Sequence, residues 1–216
     1  MEITNARLRQ SQDGSLLLPV EVHREGRSAA AVLRGSGDGT AWKLGQLLEG
    51  PGVGLRYPSV AQLPSGEVVL LASTAMHRIY VAYSGDGSDS WSQPTEVTAL
   101  VAPEAPAALT SAPDGEGLIV VWNYHSCRGF GTDRANLSLS RSTDGRHWSA
   151  AARLWPEREQ RTTHPALTRI GERLILTYAQ LEANHLSLRI ASLASEEGVH
   201  DAKAQTRTEA PFQDEL

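Results

Sequence analysis

Cysteine is nearly absent from this chain. Of its 216 residues only Cys127 is a cysteine. An intrachain disulfide is therefore excluded, and a reducing compartment is compatible with the sequence. Long apolar runs are missing too, so no stretch reads as a membrane-spanning helix. The first residues, Met1 to Asn5, carry neither a basic segment nor an apolar one. That pattern lacks a secretory signal, and the default expectation is a cytoplasmic location. Positive charge is not clustered: Lys and Arg number 20 against 25 Asp and Glu, for a net charge of −5. Without a basic face, nucleic acid is excluded as the main partner. Helical periodicity is lacking over any useful window. No Gly-x-Gly-x-x-Gly or phosphate loop occurs, no spacing resembles a zinc site, and no cofactor or metal is expected.

What the chain does contain is repetition. Ser142-Thr143-Asp144-Gly145-Arg146-His147-Trp148 ends an alternating run that starts at Asn136. Ser36-Gly37-Asp38-Gly39-Thr40-Ala41-Trp42 follows an Ala- and Val-rich run, and Ser84-Gly85-Asp86-Gly87-Ser88-Asp89-Ser90-Trp91 follows Ile79 to Tyr83. Each time a strand feeds a Ser-x-Asp turn and a Trp follows. A second signal repeats in step with it: Gly14, Gly66, Gly115 and Gly171 recur at intervals of about 50 residues, a spacing typical of propeller blades.

Between these markers the apolar runs have strand length. Ser15–Val22, Glu67–Ala72, Gly117–Trp122 and Arg173–Tyr178 are bounded by turn residues. Each unit reads as strand, turn, strand, variable loop, strand, Asp turn and short strand. That is four antiparallel strands, the content of one blade. The expectation is an all-β propeller with about four blades, at 13–50, 56–100, 104–155 and 162–193. Residues 194–216 read as a polar tail.

The repeated turn has a structural chemistry. An Asp in a tight turn accepts hydrogen bonds from N–H groups two residues on, and Ser does so more weakly. The Trp can fold over the hairpin as a large apolar cover. One Asp per separate hairpin cannot gather the several oxygens that calcium requires. The structural set is Ser36, Asp38, Trp42, Ser84, Asp86, Trp91, Ser142, Asp144 and Trp148.

These turns resemble the Asp-boxes of the sialidase (neuraminidase) superfamily and other BNR-repeat propellers. The strand entered through Tyr57-Pro58-Ser59, the glycine turn, the apolar strand and then the box are similar to a sialidase blade. Thr163-His164-Pro165 is a weaker version of the same entry. The resemblance covers about residues 13 to 193. The first and third boxes are one residue short, and the second has Ser88 where glycine is usual. The family's N-terminal Arg-Ile-Pro motif is not present, and the early Asp that acts as general acid is not found. The chain thus looks like part of a six-bladed propeller, or a shortened relative.

The resemblance implies an exo-glycosidase, a hydrolase that removes a terminal acidic sugar of the sialic acid type. It implies a pocket at the propeller axis where arginines grip a carboxylate and a Tyr, activated by a Glu, attacks the anomeric carbon. Bidentate Arg–carboxylate pairing and base-assisted Tyr attack are both physically sound. On this basis Tyr57 and Glu104 are the catalytic candidates. Arg128, Arg134, Arg161 and Asn123 are the substrate-binding candidates, with Arg56 and Arg78 behind them. Each has a plainer reading. Tyr57 could pack between blades, Glu104 and Arg128 could be solvated loop residues, and Arg134 and Arg161 could form surface ion pairs. The expected partner is a carbohydrate ligand. Self-association or further blades could complete the propeller, and a non-catalytic binding propeller is the alternative function.

Overall fold

A computed structural model describes residues 7–52, 54–124, 136–155, 161–182, 185–193 and 204–206. The described residues form four antiparallel sheets and no helix. The first contains β1 (Arg9–Gln10), β2 (Leu16–Arg24), β3 (Arg27–Gly35) and β4 (Trp42–Leu44), with β5 (Leu48–Glu49) also paired to β3. The second is β6 (Arg56–Gln62), β7 (Val68–Ser73), β8 (Arg78–Ser84) and β9 (Thr95–Val101). The third is β10 (Ala108–Ser111), β11 (Leu118–Asn123), β12 (Leu137–Ser142) and β13 (Ala152–Arg153). The fourth is β14 (Arg161–Ile170), β15 (Arg173–Glu182), β16 (His185–Leu193) and β17 (Ala204–Thr206). Each sheet is a meander in chain order, as expected for propeller blades. The polar tail expected at 194–216 gives way at 204–206, which pair with Arg189–Ala191 as the fourth strand of the last blade. The first blade also begins earlier than residue 13, because Arg9–Gln10 pair with Leu16–Leu17.

The middle blades show why apolar runs replace alternation. In β7, Val69 and Leu71 face Leu109, Leu118, Val120 and Trp122 of the third blade. Val68, Leu70 and Ala72, one step out of phase, face Leu17, Ala30 and Val32 of the first. A strand with period-two side chains that is buried on both faces must be apolar at every position. All six β7 residues are buried. The third and fourth blades meet through Val121, Leu137, Leu167, Leu176 and Tyr178.

The fourth blade's other face differs. Ile170, Leu186, Leu188 and Ile190 are 65%, 50%, 58% and 39% exposed. Register places them on one side of the sheet, since Leu188 pairs with Ala179 and Ile190 with Thr177. It is the side on which a further blade would stack.

The Asp-boxes close all three β-hairpins at one end of the blades. Asp38 Oδ1 accepts from Thr40 N at 3.1 Å and from Ser36 Oγ at 2.5 Å, and Trp42 Nε1 donates to Gly39 O at 2.9 Å. Asp86 accepts from Ser84 Oγ and Ser90 N at 2.7 and 2.9 Å, and Trp91 Nε1 donates to Ser88 O at 3.2 Å. Asp144 accepts from Arg146 N and His147 N, both at 2.8 Å. Ser88, which replaces the usual glycine, still adopts a glycine-like φ of 86°. These bonds pull the carboxyls below their usual range. Asp38 falls to about 2, first through Ser36 and then through Thr40. The boxes also tie blades together. Arg146 grips Glu67 of the second blade with two bonds of 2.8 and 2.9 Å, and its guanidinium lies 4.2 Å over the Tyr83 ring.

Candidate functional site

The opposite end of the blades gathers the chemistry. β6 enters from that end, and its first residues are irregular. The pairing with β7 shifts between Arg56 and Ser59, a β-bulge, and Tyr57 has a φ of 52°. A residue before proline ordinarily stays extended, so this left-handed backbone is strained by about 1–3 kcal/mol. The fourth blade repeats the device. The register of β14 shifts between Thr163 and Ala166, and His164, also before a proline, has a φ of 53°. Bulges of this kind re-aim side chains at the rims of sheets.

A carboxylate from the neighbouring blade holds the bulge. Glu21 on β2 is fully buried, with 0% of its side chain exposed. Its Oε2 accepts from Tyr57 N at 3.1 Å, and its Oε1 accepts from Arg56 Nε at 3.1 Å. His23 Nε2 lies 3.4 Å from the same Oε1, and His23 Nδ1 is 3.0 Å from Ser28 Oγ. A buried carboxylate is costly unless its oxygens are filled. Here the bulge supplies the N–H and the guanidinium supplies the charge.

Arg56 then reaches a second carboxylate. Its Nη1 donates to Glu104, which stands in the connection between β9 and β10. The guanidinium carbon lies 5.2 Å from the Tyr57 ring centre. Arg56 is thus the hub of a cluster drawn from three blades. Burial works against its charge, but Glu21, Tyr57 and Glu104 more than offset this, and its pKa is raised. Beneath Glu104, Ser73 Oγ donates to Ala105 O at 2.5 Å and Trp122 Nε1 to Val101 O at 3.0 Å. These bonds fix the loop that carries Glu104.

The sequence candidates are distributed unevenly around this hub. Tyr57 and Glu104 stand at the same end of the propeller and both contact Arg56. Arg161 opens β14 and is exposed. Asn123 is 1% exposed, and its Nδ2 donates to Thr162 O at 2.8 Å across the blade boundary. Through that bond it ties β11 to β14, while its Oδ1 is buried without a hydrogen-bond partner. Arg128 and Arg134 lie outside the described residues, as do Cys127 and His125. Arg78 donates to Glu96 at 2.9 Å. No group of three or more His, Cys, Asp or Glu side chains able to hold a metal occurs among the described residues.

One member of the cluster, Glu21, escapes sequence reasoning, and a second, Arg56, stands there only behind other arginines. Glu21 looks like one polar residue in an apolar strand. Its signal was the interruption itself, because a carboxylate between Val20 and Val22 in an inner blade strand needs a partner. Arg56 is only a second-rank candidate by sequence, because a single Arg at a strand entrance carries no repeating pattern.

Four meander sheets stacked through buried faces, with Asp-boxes at one end and a charged cluster at the other, define a β-propeller of the Asp-box class. The chain belongs to the BNR repeat-like domain family, whose model matches residues 3–176. No curated protein matches the sequence. Solved structures agree in fold. The α-L-arabinanase of Penicillium chrysogenum, complexed with arabinobiose, is similar with a TM-score of 0.70 at 17% identity, over 93% of this chain and 65% of that one. The GH93 α-L-arabinofuranosidase of Fusarium graminearum, also with arabinobiose, has a TM-score of 0.71 at 17% identity, over 95% and 66%. The intramolecular trans-sialidase of Ruminococcus gnavus, complexed with oseltamivir carboxylate, has a TM-score of 0.68 at 13% identity, over 88% and 42%. The chain therefore spans just under two thirds of the length of the arabinanase and arabinofuranosidase structures, and less of the trans-sialidase. The shared fold is that of propeller glycosidases.

Proposed function

We propose that this chain forms the larger part of an exo-glycosidase-type propeller, which takes a terminal sugar on the face opposite the Asp-boxes. The observation that carries the reading is the Glu21–Arg56–Glu104 cluster beside Tyr57, built on a strained bulge. Strain held in place by a buried carboxylate is a common feature of working sites. In the proposed reaction the Tyr57 hydroxyl attacks the anomeric carbon and passes its proton to Glu104. The leaving oxygen takes a proton from a general acid, and water then cleaves the sugar–tyrosine bond. Glu21 and Arg56 position this pair without touching the sugar.

The sugar is a terminal acid of the sialic type in the first reading, with Arg128, Arg134 and Arg161 gripping its carboxylate. A neutral pentose is the second. It is favoured by Arg56, whose charge already faces two carboxylates, and by the arabinose-type ligands of two similar structures. The exposed Leu186, Leu188 and Ile190 stripe supports a further proposal: more blades, from adjoining sequence or a partner chain, complete the ring.

The test is a paired assay on fluorogenic sialoside and arabinofuranoside substrates. Turnover of one of them is expected, with Tyr57→Phe and Glu104→Gln each lowering kcat by about 10²-fold or more. Sugar binding without turnover in the wild type would replace the catalytic reading with a binding propeller. Unchanged kcat in both variants would remove these two residues from the mechanism.

A further inference from the structure

The Asp-box end of the propeller axis holds a second polar feature, at the far end of β6 from Arg56. A pocket of about 220 Å³ opens there between the inner strands of the first three blades. Its lining includes Arg9, Ser11, Gln12, Gln62, Thr110 and Ser111. The volume is several times the ~30 Å³ that a water molecule occupies in the liquid.

Arg9 is the unusual member. It belongs to β1, only two residues long, yet its side chain reaches two other blades. Its Nη2 donates to Leu109 O at 2.8 Å and to Leu167 O at 3.3 Å, on the inner strands of the third and fourth blades. Its Nε is buried and has no hydrogen-bond partner. No carboxylate pairs with it among the described residues. Burial lowers its pKa, and the like charge of Arg7 lowers it further. The other well-placed arginines contrast with this. Arg34 pairs with Asp13 and Asp89, Arg56 with Glu21 and Glu104, and Arg146 with Glu67. Arg9 is half-buried, with its Nε withdrawn from water, and charges so placed are normally paired, because carbonyl dipoles only partly replace the water that is lost.

We propose that the axial pocket binds a small oxyanion, the carboxylate or phosphate group of a small molecule, with Arg9 as its anchor. The two carbonyl bonds fix the guanidinium through Nη2 and leave Nη1 without a hydrogen bond among the described residues. In the wall the Ser11 and Ser111 hydroxyls already donate to Asp13 and to Gln62 O, which leaves the Thr110 hydroxyl and the second amide hydrogen of Gln62 to donate to the remaining oxygens of the anion. The site is distinct from the Arg56 cluster and does not depend on the glycosidase reading. Its role would be to lock the inner strands of three blades when an anion is present.

The experiment compares thermal unfolding of the full chain in sodium phosphate, sodium malonate and sodium chloride at matched ionic strength. A saturable rise in Tm with phosphate, malonate or both, beyond that in chloride, is expected, and the stronger of the two identifies the source of the oxyanion. Arg9→Gln should weaken the apparent affinity by about tenfold or more, which is the loss of one charge-assisted hydrogen bond. Tyr57→Phe should leave it unchanged. Thr110→Leu, which narrows the pocket without touching the carbonyl bonds of Arg9, decides the matter if Arg9→Gln does not fold. A response no greater than that to chloride overturns the proposal. So does undiminished binding in a folded Arg9→Gln protein, or in Thr110→Leu.

Discussion

The two ends of these blades are built by different means. At the Asp-box end each turn is closed by its own residues. Ser36 bonds Asp38, Ser84 bonds Asp86 and Ser142 bonds Asp144, always two positions apart. At the opposite end the bonds that hold the cluster together are long-range. Glu21 reaches Arg56 and Tyr57, and Arg56 reaches Glu104, across separations of 35, 36 and 48 residues. The first end sets the register of each blade alone. The second exists only when neighbouring blades are docked. A repeated motif therefore reports the scaffold, while the candidate chemistry depends on how repeats meet.

The largest effect expected from breaking this contrast is at Trp91. Of the box tryptophans it is buried, at 8% exposure, and it packs in the core between the first and second blades. Trp42 is 43% exposed and covers Gly35 at the end of its own hairpin. Trp91→Ala should cost about 4 kcal/mol, and Trp42→Ala about 1 kcal/mol, in denaturant unfolding. If both act only on the scaffold, KM for the sugar substrate stays unchanged in whatever fraction remains folded. A shifted KM in Trp91→Ala would show that the two ends are coupled.

Glu21→Gln ranks next and tests the other end. It keeps the shape but removes the charge that faces Arg56, and it sets an amide donor against existing donors. Breaking one partner of a buried pair is costly, here about 3 kcal/mol. The variant should also lose activity beyond its loss of folded protein, because the one amide oxygen can accept from Tyr57 N–H or from Arg56 Nε–H but not hold both as the carboxylate does. Activity per folded molecule equal to wild type would reduce Glu21 to a packing element.

The ease of reading the sequence followed the same division. Strands β7, β8 and β11 were visible because apolar runs and turn glycines are local signals. The Asp-boxes and blade count were visible because they recur. β1 and β17 were not, since two or three residues of pairing carry no pattern of their own. Tyr57 and Glu104 were reached only through resemblance, and Arg56 was placed behind arginines that lie outside the described residues. Glu21 was passed over. Its importance comes from a bulge four strands on in sequence order, and no periodicity reveals where a neighbouring blade will need a carboxylate.

The smallest effect expected is at Asp38, and its sign follows from the turn. The carboxyl is held at about 2 in the folded protein by Ser36 and then Thr40, against an ordinary value of 3.8. A depressed folded pKa means that the charged form contributes to stability above the unfolded pKa. That contribution is present in full above about pH 4 and is lost as the pH falls toward 2. Asp86 and Asp144 are shifted in the same direction, Asp86 first by Ser90 and Asp144 first by His147. Asp38→Asn should remove the first box's share of the acid sensitivity and little else, because the site is fully solvated. Carboxyl NMR titration of wild-type protein should place Asp38 well below an unfolded reference peptide. A midpoint equal to that of the peptide would mean that the Ser–Asp bond does not persist in solution, and that the local closure of this end rests on Trp42 and the backbone alone.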